Sequence, residues 1–319
     1  MIRAVLCLLL PVLIAATPAP AQQIRVFSVG SGNILGGYFA TARAICDVIN
    51  RNPHADGLRC SPEPTQGSIY NLAMLQAGDQ DIALVQSDWQ RAAYLGESLF
   101  AGQAPQSNLR SVMALYPETI TILAGAQSDI WDTPDLFGRR VDIGPPASGR
   151  HASIVAMFDR LGIERKQFAE LAELTEDHAL AELCSGRVDA AIFILGHPSQ
   201  MIARAMNDCG ARMISLSQPG LRDALASGGE YSAITIPAGT YEGQAEPLES
   251  FAVYATVVTR SDVDDAIIET FVASVLDNRR KLAATNPLLA GIDPTMMRGR
   301  ALTAPLHPAA LRAFEAGGS

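Results

Sequence analysis

The sequence predicts an α/β protein of two lobes, each a mostly parallel sheet flanked by helices. Segments with strand character alternate with segments of helical periodicity along the chain. Several strands, such as DIALVQ (81–86) and VDAAIFIL (188–195), are continuous apolar runs, which is typical of parallel strands covered by helices on both faces. The length of 319 residues suits two packed domains of about 100–200 residues each.

The elements follow in order because apolar runs and amphipathic periods are separated by turn residues. Strands are predicted at 24–30, 58–64, 81–87, 109–116, 119–125, 140–144, 188–195, 211–216 and 251–259. Helices are predicted at 35–50, 67–77, 88–95, 149–161, 176–185, 198–207 and 262–278. We assign residues 22–116 with 250–319 to lobe one and residues 117–249 to lobe two. The chain then crosses between the lobes near YPETITIL (116–123) and EPLESFAV (246–253), and two crossings form a hinge.

One segment occurs twice. LQAGDQDIAL (75–84) and LCSGRVDAAI (183–192) share Leu, Gly, Asp and Ala at equivalent positions. In both, a glycine able to take positive φ ends a helix, and a short turn with Asp leads into a buried strand. The match indicates equivalent places in two lobes of similar build, with chance convergence on a common junction as the alternative.

Residues 1–21 have the layout of a secretory signal peptide. Arg3 precedes an apolar run at 4–16, and Ala-Pro-Ala at 19–21 forms a small-x-small cleavage site. The run is shorter than the roughly 20 apolar residues that span a bilayer. We therefore expect cleavage before Gln22 and a periplasmic protein without direct membrane insertion.

Charge excludes one class of partner. Without the leader, 23 Lys and Arg residues face 33 Asp and Glu residues, a formal charge of −10. Such a surface repels nucleic acid and anionic lipid. We expect no nucleic-acid partner.

Cysteine usage fits an exported protein. Four cysteines remain after the leader, Cys46, Cys60, Cys184 and Cys209, and an even number in an exported chain indicates disulfides. The pairs 46–60 and 184–209 each close a local loop, with four free buried thiols as the alternative. No CxxC with nearby histidines is present, so no metal is expected.

Three turns rich in glycine and small polar residues each follow a strand and open a helix. They are GSGNILGG (30–37), TQGS (65–68) and GPPASGR (144–150). Free backbone N–H groups and the positive end of a helix dipole suit a carboxylate there. Any one of these turns is explained as a helix cap, but three together indicate a shared site at the carboxyl ends of the strands.

The first turn is not a good dinucleotide motif. It lacks the third glycine of GxGxxG, where Leu35 stands, and an exported protein meets little dinucleotide. No cofactor is predicted.

Five segments follow one another along the chain: SVGSGNILGGYFATARAICDVIN (28–50), PEPTQGSIYNLAMLQAGDQDIALVQSDW (62–89), LRSVMALYPE (109–118), DLFGRRVDIGPPASGR (135–150) and VDAAIFILGHPS (188–199). Together, and in this order, they resemble the TAXI-type solute receptors of tripartite (TRAP) secondary transporters. The resemblance implies a periplasmic binding protein of the type II fold that closes on a small carboxylate such as glutamate, glutamine or 2-oxoglutarate. It also implies delivery to a TRAP-type membrane permease. This chain has TQGS where TGGS is common and ASGR where GSGT is common. Both differences fall in the proposed site, so the identity of the solute cannot be taken from relatives.

The predicted ligand-binding residues lie on these turns and at strand ends. They are Ser31, Asn33, Tyr38, Thr65, Gly67, Ser68, Gln86, Ser87, Asp88, Ser148, Gly149, Arg150 and His197. Arg150 either holds a carboxylate bidentately or is a solvated surface arginine. Asp88 either binds the solute or caps its helix, Tyr38 is a ligand wall or part of the core, and His197 lines the site or orders the turn before Pro198.

The sequence favours a monomeric binding protein over an enzyme. An exported hydrolase needs a nucleophile, a base and an orienting acid, and the chain has neither GxSxG nor HExxH and only five histidines. The expected partners are a small organic acid or amino acid and the permease. The same fold serving an ATP-driven importer or a sensor is the alternative.

Overall fold

The computed structural model describes residues 24–52, 57–226 and 231–317, so the predicted leader 1–21 lies outside it. The strands are β1 Arg25–Gly30, β2 Leu58–Glu63, β3 Ile82–Gln86, β4 Leu109–Ala124, β5 Arg140–Asp142, β6 Glu170–Ala172, β7 Ala190–Leu195, β8 Arg212–Ile214, β9 Ser232–Ile236 and β10 Leu248–Arg260. The helices are α1 Gly37–Asn50, α2 Ser68–Ala77, α3 Ser87–Leu95, α4 Gly149–Leu161, α5 Glu176–Cys184, α6 Gln200–Cys209, α7 Pro219–Ala226, α8 Asp265–Asp277, α9 Arg279–Thr285, α10 Pro294–Gly299 and α11 Pro308–Gly317. Within the described ranges, none of these helices has the length and apolar character needed to cross a bilayer.

The strands form one mixed sheet in the order β2-β1-β3-β10-β4-β7-β5-β6, with β8 beside β4 and β9 beside β10. The outer pairs are parallel, β1 with β2 and β3, and β5 with β6 and β7. The central pairs are antiparallel, because β10 runs against β3, β4 and β9 and β4 runs against β7 and β8. The predicted α/β class with flanking helices is confirmed.

Two long strands run through the middle of the sheet. β4 has 16 residues and β10 has 13. The prediction of separate strands at 109–116 and 119–125 was wrong, because the chain continues straight through Pro117. Pro117 pairs with Tyr254, next to a register shift in β10, and such an irregularity accommodates a residue that has no N–H to donate.

The long strands join two groups of elements, each with its own core. The first half comprises β1–β3 with α1–α3 and α8–α11, and the second half comprises β5–β9 with α4–α7. β4 contributes Val112 and Met113 to the core of the first half and Ile120 and Ile122 to that of the second half. The lobe boundaries given above stay a prediction.

The repeated segment has equivalent structure in the two halves. Gly78 ends α2 with φ +85°, and Gly186 follows α5 with φ +73°. The carboxylate of Asp81 accepts a 2.8 Å hydrogen bond from the amide N of Ser28, and that of Asp189 accepts a 2.9 Å bond from the amide N of Arg140. In both halves the aspartate therefore ties the new strand to its parallel neighbour.

Both predicted disulfides are present. Cys46 of α1 is bonded to Cys60 of β2, and Cys184 at the end of α5 is bonded to Cys209 at the end of α6. Each bridge lies within one half of the molecule. The hinge region between the halves is therefore not cross-linked by them.

Candidate functional site

A cavity of about 420 Å³ lies between the two halves. Its walls come from the first turns of α1, α2, α4 and α5, the ends of β3 and β7, and the middle of β4. Four helices therefore begin at the same cavity, and the positive ends of their dipoles converge there.

The structure brings the three predicted turns together around this cavity. The predicted residues that line it are Asn33, Tyr38, Thr65, Gly67, Ser68, Gln86, Ser148, Gly149 and Arg150. They come from both halves of the chain. Their role in binding stays a prediction, but their common location agrees with a shared site.

Local hydrogen bonds fix two of these turns. Thr65 Oγ1 donates to the carbonyl of Ser31 at 3.0 Å and accepts from the amide of Gly67 at 3.1 Å. Gly67 has φ +100°, a conformation that L side chains rarely adopt. Ser148 caps α4 by accepting a 3.1 Å hydrogen bond from the amide of His151.

The halves lie close together at Gly149. A Cβ there would overlap Gln86 Oε1 and lie 2.6 Å from Ser68 Oγ. Gly149 belongs to the second half, whereas Gln86 and Ser68 belong to the first. Only glycine therefore permits this contact.

Arg150 is buried rather than solvated, with 6 % of its surface exposed. One guanidinium nitrogen, Nη2, donates to the buried carboxylate of Asp142, and Nε donates to the carbonyl of Ile192 at 2.6 Å. The guanidinium lies 4.2 Å from the ring centroid of Phe193, a cation–π contact. Its position is therefore fixed before any ligand arrives.

Two buried N–H donors on the cavity wall are without a partner in the described ranges. Arg150 Nη1 and Gln86 Nε2 have no hydrogen-bond partner within the part of the chain that the structure describes. Gln86 is 3 % exposed. Buried donors almost always have partners, so these two are suited to bind a ligand acceptor.

Glu118 of β4 lines the same cavity and is also buried. Burial raises its pKa to about 8, and the nearby carboxylates of Asp88 and Glu176 act in the same direction. The hydroxyl of Tyr38 donates to Glu118 Oε2 at 2.6 Å and partly opposes the shift.

Glu176 of α5 is half-buried and reaches the opening turn of the first half. A Cβ on Gly36 would lie 3.3 Å from Glu176 Oε2. Burial raises the pKa of Glu176, the guanidinium of Arg150 opposes the shift, and the carboxylate of Asp177 adds to it. The cavity thus holds two acidic groups as well as hydrogen-bond donors.

Two predicted serines do not line the cavity. Ser31 is fully buried, and its hydroxyl donates to the carbonyl of Glu63 at 2.5 Å. Ser87 accepts a 3.0 Å hydrogen bond from the amide of Tyr254. Both hydroxyls connect neighbouring segments of the backbone.

Asp88 does not line the cavity either. It accepts a 2.9 Å hydrogen bond from the amide of Trp89 at the start of α3 and a 2.5 Å bond from Ser153 Oγ of the second half. Asp88 therefore accepts a backbone N–H bond in the first turn of α3 and also links the halves, whereas the N-cap of this helix is Gln86.

His197 orders its turn instead of facing the cavity. Its Nδ1 lies 2.5 Å from the hydroxyl of Tyr241, and its Nε2 lies 2.8 Å from Thr121 Oγ1. Thr121 Oγ1 donates its proton to the carbonyl of Thr119 and therefore accepts from Nε2, which carries the hydrogen. Nδ1 then accepts from the hydroxyl of Tyr241, whose oxygen also accepts from the amide of Ser199. Burial lowers the pKa of His197 to about 4, and the ring stays neutral.

Sequence reasoning missed several cavity residues. They are Gln66, Tyr116, Glu118, Thr175, Glu176 and Gly196. A signal existed for Glu118, because it is the one charged residue in the stretch MALYPETITILA (113–124). Glu176 gave no such signal, because an acidic residue in the first turn of a helix is ordinary.

Metal binding has no structural support in the described ranges. No group of three or more His, Cys, Asp or Glu side chains there is arranged to hold a metal ion.

Solved proteins of similar architecture show the fold. A Xanthomonas citri protein bound to ATP aligns with a TM-score of 0.50 and 10 % identity, over 92 % of this chain and 95 % of that one. A Bordetella bronchiseptica RB50 protein aligns with a TM-score of 0.50 and 16 % identity, over 91 % and 89 %. The alkanesulfonate-binding protein SsuA from Xanthomonas axonopodis pv. citri, bound to MOPS, aligns with a TM-score of 0.49 and 13 % identity, over 92 % and 85 %.

The family of the chain follows from its sequence rather than from these distant structures. The model of the NMT1-like family matches residues 29–318. The match includes every element from the opening glycine-rich turn to α11. The chain belongs to the NMT1-like family.

Proposed function

We propose that this chain is an extracytoplasmic solute-binding protein that captures a small carboxylate by hinge closure and delivers it to a membrane permease. The observation that carries the proposal is the cavity itself. It lies between two separately packed halves, it is lined by the first turns of four helices, and it contains two buried N–H donors without a partner in the described chain.

The carboxylate end of the solute binds where these donors converge. Arg150 Nη1 and Gln86 Nε2 offer two hydrogen bonds, and the free backbone N–H groups of the helix first turns add more. Charge-assisted hydrogen bonds to a carboxylate are about twice as strong as neutral ones. The donors are already in position, so little ordering entropy is lost on binding.

Hinge motion rests on β4 and β10, the two long strands that run through both halves. In the present arrangement the halves also touch through Trp89, whose Nε1 donates to Ser153 Oγ at 2.7 Å and to the carbonyl of Gly149 at 3.2 Å. A solute that contacts both halves stabilises this closed arrangement by its differential affinity for it. The proposed lobes are residues 22–116 with 250–319 and residues 117–249.

The proposed compartment is the periplasm. The leader layout at residues 1–21 and two disulfides in one small chain both fit an oxidising, exported environment. The proposed permease is of the TRAP type, in agreement with the resemblance of TQGS, LVQSD and GPPASG to TAXI receptors. An ATP-driven importer is the alternative partner, and reconstitution with each candidate permease separates the two.

Calorimetry and small-angle scattering test the proposal. Purified protein is freed of bound solute by unfolding and refolding, then titrated with a panel of small carboxylic acids and amino acids. We expect one of them to bind with one-to-one stoichiometry, to raise Tm, and to reduce the radius of gyration. No binding by any acid, or binding with turnover of the compound, would overturn the proposal.

A further inference from the structure

Capture of an anion does not account for the two carboxylates on the cavity wall. Neither Glu118 nor Glu176 forms an ion pair with a Lys, Arg or His in the described ranges, and Arg150, which acts on Glu176 at longer range, is paired with Asp142. With the Arg150–Asp142 pair neutral as a unit, Glu118 and Glu176 are acidic groups on the cavity wall with no cation beside them. A solute without a positive group leaves both in this state.

The environment of these carboxylates suits an incoming cation. Glu118 is 6 % exposed, and among the described residues its one hydrogen bond to a side chain is the 2.6 Å bond that Tyr38 donates to Oε2. A buried carboxylate is costly unless a positive partner or several donors neutralise it. Glu176 reaches the backbone of Gly36 across the boundary between the halves, so a cation held by both acids would also hold the halves together.

From this geometry we infer that Glu118 and Glu176 form a cation subsite that receives the protonated amine of the solute. The inference rests on the proposed function and narrows its substrate class to zwitterions. The carboxylate is received by Arg150 and Gln86, and the ammonium is received by the two glutamates. Keto acids and dicarboxylates that lack an amine are rejected.

A purely structural role for Glu176 is the competing explanation. It is the first residue of α5, where any acidic side chain interacts favourably with the helix dipole. Asp177 occupies the next position of the same helix, is exposed, and does not line the cavity. Asp177→Asn is therefore a matched control for Glu176→Gln, since each removes one charge from the same helix start.

Matched pairs of amino and keto acids test the inference on the wild-type protein. The probes are L-glutamate with 2-oxoglutarate, L-alanine with pyruvate, and L-leucine with 4-methyl-2-oxopentanoate, titrated by calorimetry at pH 7.5. We expect the best-bound amino acid to bind at least about 100-fold more tightly than its keto acid, because a site built for a buried N–H group rejects an analogue without it. Equal or tighter binding of the keto acid overturns the inference while the proposed function stands. No binding by any of these six compounds overturns the inference, whereas the proposed function is overturned only if the whole panel of acids fails to bind.

Two variants test which residues are responsible. Glu118→Gln keeps the shape of the side chain and an acceptor for Tyr38 and removes the charge, and Glu176→Gln does the same for the second acid. We expect each substitution to weaken binding of the amino acid at least about tenfold. Binding of the keto acid should stay unchanged or become tighter. Asp177→Asn should change either affinity less than about threefold. Unchanged amino-acid affinity in both glutamine variants overturns the inference.

Discussion

Burial of Glu118 makes a quantitative prediction about the stability of the ligand-free protein. The titratable groups that face it are Tyr38 from α1, Asp88 from α3, Tyr116 beside it on β4, and Glu176 from α5. None of them is a cation. Burial and the two carboxylates raise the pKa of Glu118 from 4.5 to about 8, and the folded protein therefore holds a proton that the unfolded chain releases.

The sign and the size of the effect follow from linkage. Between pH 4.5 and 8 the folded state binds more protons than the unfolded state, so the free energy of unfolding falls as pH rises. The contribution of Glu118 is fully present below pH 4.5 and is lost by about pH 8. One pKa unit corresponds to about 1.36 kcal/mol. Between pH 5.5 and pH 8 the free energy of unfolding therefore falls by about 3 kcal/mol.

Urea unfolding of Glu118→Gln measures this loss. The amide of the variant does not titrate, so the wild type loses stability between pH 5.5 and pH 8.5 and the variant does not lose this contribution. The free energy of unfolding of the variant minus that of the wild type should therefore increase by about 3 kcal/mol from pH 5.5 to pH 8.5. Fluorescence of the buried Trp89 follows unfolding, and Glu315→Gln on the exposed side of α11 is the control. Parallel pH profiles of wild type and Glu118→Gln would refute the reasoning.

Two further predictions concern the contact between the halves and the disulfides. Gly149→Ala should weaken binding of the best-bound amino acid at least about tenfold, because a methyl group there overlaps Gln86 and holds the halves apart. Gly220→Ala is the control, because Gly220 also lies in a helix and a Cβ there meets nothing within 4 Å. Equal affinities of Gly149→Ala and Gly220→Ala for the amino acid in calorimetry would contradict this reasoning. Replacing either disulfide by two alanines should lower the free energy of unfolding by about 3 kcal/mol, because the bridges close segments of 14 and 25 residues. Urea unfolding measures the change, and unaltered midpoints would show that the bridges do not restrict the unfolded chain. One of these variants replaces Cys46 and Cys60, and the other replaces Cys184 and Cys209.

Local patterns predicted much of the fold because most elements are locally consistent. The run IALVQ became a strand with all five residues buried, and the glycine at 78 ended α2 as expected. The short strands β6 and β9 were missed, since three residues or a partly exposed run give no periodicity. The continuity of β4 was missed because Pro117 normally argues against a central strand, and only pairing with β10 shows that the ladder tolerates it.

The common location of the three turns was predictable because backbone conformation defines it. The glycine-rich turns carry their own signal, and they converge because the carboxyl ends of parallel strands share one edge. Side-chain direction was not predictable at strand ends. Ser87 and Asp88 follow Gln86 directly, yet Gln86 faces the cavity while the other two form hydrogen bonds with Tyr254 and Ser153.

The surroundings of Arg150 indicate what this residue can recognise in a solute. The sequence left it as either a carboxylate ligand or a solvated surface residue, but it is buried, and Asp142 neutralises it. What remains for a ligand is the directed donor Nη1, not an excess of positive charge. A carboxylate at Arg150 is therefore recognised by geometry, and every acid of suitable shape satisfies it about equally. In the proposed cation subsite, discrimination between an amino acid and its keto analogue comes from Glu118 and Glu176.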